Sequence, residues 1–132
     1  MRTLTIYHRL LIYFLKRKNT ILESHTGITY ILKSDLSNAA DFSKEQVINF
    51  LNGLCAANDK VCCPWCVILE NNCRECGYGF QHGRCAPLGI GKSSNTYGEI
   101  ADNLGRKIYQ LKEIQDLIKD IRVIYKAIPY IL

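Results

Sequence analysis

The chain has no long hydrophobic run. Its longest extends only from Leu10 to Leu15, whereas a bilayer-spanning helix needs about 20 apolar residues. That excludes a membrane-spanning helix by composition. Lys16-Arg17-Lys18 follows the run, where a secretory signal would carry small residues for cleavage. The expected compartment is therefore the reducing cytoplasm. Acidic residues are scarce in the first third. Residues 1–33 hold Arg2, Arg9, Lys16, Arg17, Lys18 and Lys33 against Glu23 alone, and the rest of the chain balances to zero, so all of the net +5 lies there. Basic residues are in turn scarce between 55 and 92, where only Lys60, Arg74, Arg84 and Lys92 occur. A finger that grips phosphates is normally studded with them, because counterion release drives such binding. No Ser/His/Asp set and no paired acidic motif stands out, which argues against an enzyme.

What is present is a cluster of thiols. Six of the seven cysteines fall between Cys62 and Cys85. In a reducing compartment such clusters more often bind metal than form disulfides. Cys63-Pro64-Trp65-Cys66 and Cys73-Arg74-Glu75-Cys76 are two Cys-x-x-Cys pairs. A turn of that spacing sets two thiolates at two corners of a tetrahedron. Gly77 after the second pair permits the left-handed backbone that lets N–H groups face the sulfurs. The expected ligands are Cys63, Cys66, Cys73 and Cys76 around one zinc, with Cys85, Cys62 and His82 as substitutes. An iron–sulfur cluster is the alternative, although the Cys-x-x-Cys-x-x-Cys run of bacterial ferredoxins is absent. A thiol redox pair at Cys63 and Cys66 would need a strand–helix setting of thioredoxin type. Cys55 reads as a small buried hydrophobe.

The hydrophobic fraction of 48% and charged fraction of 22% are those of a folded protein, and 132 residues suit one domain. The expected fold is α+β, in three parts: an N-terminal α/β part over 1–54, a cysteine-rich knuckle over 55–92, and a long helix over 96–128. Residues 3–16 are apolar on nearly every side and their length favours a helix. Thr20–Glu23 and Ile28–Leu32 flank Ser24-His25-Thr26-Gly27, which predicts a β-hairpin with His25 in its turn. Ser43 and Gln46 have capping-box spacing, and Phe42 and Val47 stand at the positions of a hydrophobic staple. They open a helix with Val47, Phe50, Leu51 and Leu54 on one face.

Thr96 and Glu99 repeat the capping-box spacing. Leu104, Ile108, Leu111, Ile114, Ile118, Ile121, Tyr125 and Ile128 continue as a stripe widened by Leu117 and Ile124, ended by Pro129. A stripe so wide packs first on the protein's own core. A homodimer through 104–128 is compatible with it. Residues 86–93, Ala-Pro-Leu-Gly-Ile-Gly-Lys-Ser, match a relaxed phosphate loop. That motif needs a strand before it and a helix at its Lys. Here a cysteine loop precedes and the helix signals come late, so a glycine-rich joint is the better reading.

In size and cysteine style the chain resembles small proteins of phages and mobile elements, a likeness that carries over no residues. The expected function is that of a non-enzymatic, metal-stabilised regulator or binding module with a protein partner. Nucleic-acid binding through Arg9, Lys16, Arg17 and Lys18 is the second reading, and an iron–sulfur or thiol redox protein the third.

Overall fold

The computed structural model describes residues 4–56, 99–100, 103–105 and 107–131, with the side chains at 54–56 and 109 excepted. Among these residues there are helices and no strands. The helices are α1 (Ile6–Thr26), α2 (Lys33–Ala40), α3 (Lys44–Ala56) and α4 (Lys112–Ile131). A 3-10 turn at Ile108–Gln110 precedes α4. The α+β expectation is therefore wrong. The predicted hairpin is the cause.

Helix α1 does not stop at the basic run. Thr5 caps it, its side chain accepting the His8 N–H at 3.2 Å. Leu10, Leu11, Phe14, Leu15, Lys18, Ile21 and Leu22 recur at helical spacing, and all are buried. The hydroxyl residues of the predicted hairpin are absorbed by the helix. Thr20 donates to the Lys16 carbonyl, Ser24 to Ile21 and Thr26 to Leu22. Gly27 is then the C-terminal cap, with φ 73° and its N–H on the Glu23 carbonyl at 2.8 Å. It ends a helix rather than turning a hairpin.

Residues 28–32 return without pairing to any described strand. Asn19, on α1, holds them instead. Its Oδ1 accepts both the Tyr30 and the Ile31 N–H, at 2.7 and 3.0 Å. One side chain thus replaces the rungs that a partner strand would provide. Helix α2 went unpredicted. Its N-terminal signal is Asp35, whose Oδ2 accepts the Leu32 N–H at 2.8 Å. Helix α3 begins as expected. Gln46 Oε1 accepts the Ser43 N–H at 2.9 Å and Ser43 Oγ accepts the Gln46 N–H at 3.2 Å. Phe42 and Val47 are both buried.

The C-terminal helix is shorter than predicted at its start. Residues 99, 100 and 103 are helical, but Gly105 turns left-handed at φ 61°. The chain re-enters helix only at Lys112. Thr96 lies outside the described residues. Pro129 does not stop α4, which continues to Ile131. In the last turn Pro removes one N–H and disturbs little beyond it.

Helix α1 is the centre of the assembly, with α2, α3 and α4 packed on it and α3 also on α4. Helices α1 and α4 run antiparallel. His25 at the end of α1 meets Glu113 at the start of α4, and the Tyr7 and Tyr125 rings meet edge-on at the other end. Helix α4 buries Ile114, Leu117, Ile118, Ile121 and Ile128 against this core. Self-packing of the stripe is thus the outcome, except that Ile124 is partly exposed.

Candidate functional site

Three groups of residues named from the sequence have different fates. The metal candidates Cys62, Cys63, Cys66, Cys73, Cys76, Cys85 and His82 lie outside the described residues, as do Trp65 and the 86–93 motif. Among the described residues no group of three His, Cys, Asp or Glu could hold a metal ion. Cys55 falls in the last turn of α3.

The basic candidates divide. Arg9, Lys16 and Arg17 are exposed. Lys18 is fully buried, with Nζ 5.2 Å from the centre of the Tyr30 ring and 5.7 Å from that of Phe14. The helix turns 100° per residue, so three consecutive cations cannot share a face. Lys18 points to the core, with its Nζ over the two rings. It is not available to a ligand. Tyr13, within the stretch 3–16 that reads as apolar on nearly every side, is exposed. The 3.6-residue period sets it beside Arg9, Lys16 and Arg17, and that signal was legible once α1 was known to be one helix.

Both described histidines are engaged. His8 is buried, and its Nε2 donates to the Phe42 carbonyl at 2.6 Å, since a carbonyl only accepts. Its Nδ1 pairs with the Thr5 hydroxyl at 2.7 Å. The ring therefore ties the start of α1 to the residue before the α3 cap. His25 is not a turn residue. It closes the last turn of α1 and donates from Nε2 to Glu113 Oε2 at 2.6 Å. An N–H donor at the helix C-terminus and an acid at the helix N-terminus are each favourably placed against the helix dipoles.

The exposed start of α4 gives a pH prediction. The hydrogen bond from His25 holds the Glu113 carboxyl below the usual glutamate range. The Lys112 hydrogen bond holds Asp116 down in the same way. A carboxyl depressed in the folded state stabilises it above the unfolded value, about 4. That contribution is lost as pH falls through the folded value. Urea midpoints should therefore fall between about pH 5 and pH 3. The Glu113→Gln and Asp116→Asn double variant should show a shallower fall. An unchanged slope would mean that these surface pairs contribute nothing measurable, as many do.

No described helix is long and apolar enough to cross a membrane. Compared with known proteins, the chain matches no family model, no curated protein and no solved structure.

Proposed function

We propose that this chain is a small non-enzymatic binding protein of the cytoplasm. A metal ion, zinc first, held by Cys63, Cys66, Cys73 and Cys76 would order the 62–85 segment. The helical core would present a surface to a protein partner. The cysteine spacing supports the first part.

The observation that carries the second part is the outer side of α4. Val123 is 69% exposed, Tyr130 90% and Ile131 68%, while the opposite side of the same helix is in the core. Exposed apolar residues are ordinary when scattered, but a contiguous group suits a partner surface. Positions 123, 127, 130 and 131 follow helical spacing, so Ala127 joins them on one side. Lys119, Asp120 and Lys126 are exposed beside them. The fitting partner is therefore a protein segment with apolar side chains bordered by charges of both signs.

Photo-crosslinking in cells tests this. A photoreactive residue at 123 or 130 should give a discrete adduct with another protein. The same residue at the exposed Ser37 should not. Equal labelling at all three positions, or none, would contradict the reading. An adduct of twice the chain mass would assign the surface to a second copy of the chain.

A further inference from the structure

Helix α1 carries a second, polar surface on the side away from its core. Arg9, Tyr13 and Arg17 follow one another at intervals of four, with Lys16 three residues after Tyr13. All four are exposed, Tyr13 by 44%. Thr20 and Ser24 extend the same side, and their hydroxyls are turned back onto helix carbonyls. At a rise of 1.5 Å per residue, Arg9 and Arg17 stand about 12 Å apart along the axis.

A merely solvated helix face usually offsets its cations with acids three or four residues away. Helix α4 does so, with Lys112 on Asp116 at 2.9 Å. Helix α1 does not. The positions three and four residues from Arg9, Lys16 and Arg17 hold no Asp or Glu. The only acid in α1, Glu23, lies beyond them and accepts the Thr29 hydroxyl at 2.9 Å. Cations thus surround an exposed aromatic ring and have no local counter-charge on their own helix.

We infer that this face binds single-stranded nucleic acid, with Tyr13 as a stacking platform for a base and Arg9, Lys16 and Arg17 on the flanking phosphates. This is a second binding surface, separate from the outer side of α4 and independent of the metal. An unpaired base offers its π-face to an aromatic ring, whereas a duplex offers only base edges in its grooves. A lipid surface fits less well. An interfacial helix must insert an apolar face, and the apolar face of α1 is already in the core. Lys18, the fourth cation of the sequence reading, takes no part.

The test is fluorescence anisotropy of a labelled oligo-deoxythymidine strand with the full-length protein as purified. Binding should be measurable at about 50 mM salt and weaken about twentyfold by 200 mM, as three neutralised phosphates require. Neutralising the cations together, as R9Q/K16Q/R17Q, should abolish most of that salt dependence. Tyr13→Ala should weaken binding about tenfold with the salt slope unchanged, and Tyr13→Phe should restore it. All four side chains are exposed, so unchanged far-UV spectra and melting midpoints are expected for each variant. No binding at low salt would overturn the inference. So would binding that Tyr13→Ala leaves intact, or a preference for vesicles of anionic lipid over the oligonucleotide.

Discussion

Replacing Phe14 with Ala should destabilise the fold by about 3–5 kcal/mol. Phe14 is fully buried at the centre of α1. Its ring lies 6.1 Å from that of Phe50 on α3, tilted by 52°, and the buried Lys18 ammonium stands over it. The substitution therefore removes a large apolar side chain, an aromatic pair and one of two rings facing a buried charge. A domain of this size is stable by only about 5–15 kcal/mol, so the urea midpoint should fall by a large fraction of its value. Phe14→Leu keeps most of the volume and should cost clearly less. A loss below about 1 kcal/mol for Phe14→Ala would mean that the α1–α3 contact is not the core of the fold.

Asn19→Leu is the second large effect, and it works through a different mechanism. The side chain of Asn19 satisfies two backbone donors, those of Tyr30 and Ile31, in residues that are themselves buried. Leucine is similar in size but accepts nothing. Each donor left without a partner costs about 1–3 kcal/mol, so about 2–6 kcal/mol is expected for the pair. Asn19→Asp retains an oxygen in the same place and should recover most of the loss. Amide exchange at Tyr30 and Ile31 reads the mechanism directly. Both should exchange faster in Asn19→Leu and remain protected in Asn19→Asp. Equal destabilisation by the two variants would show that packing, not hydrogen bonding, is what Asn19 supplies.

Asn19 also marks where the sequence could and could not be read. The start of α3 was legible because its signal is local. Ser43 and Gln46 need only each other, and the two hydrogen bonds form as their spacing implies. The stripe of α4 was legible because its period is long enough to exclude a strand. The residues from Thr20 to Leu32 were not legible. β-Branched and aromatic residues around a glycine favour a hairpin on local propensity, but tertiary burial of Ile21 and Leu22 prolonged α1 through them. Nothing near Tyr30 announces that its backbone partner lies eleven residues upstream on a helix. The Lys16-Arg17-Lys18 run misled in the same way. Composition treats the three as alike, whereas helical geometry places one inside and two outside. Of the candidate sites, the α1 face needed the structure to separate Lys18 from the rest and to add Tyr13. The thiol cluster still rests on its spacing alone.

That spacing carries the central claim, that cysteines between 62 and 85 hold a metal ion. Elemental analysis with an absorption spectrum, on protein purified without oxygen, tests it most directly. The account predicts one zinc per chain in a colourless solution, lost in Cys63→Ser and Cys76→Ser variants. Iron in a coloured protein would contradict the zinc assignment and make electron transfer or redox sensing the leading function. No metal, with the thiols lost to titration, would contradict the claim altogether and assign the cysteines to disulfides.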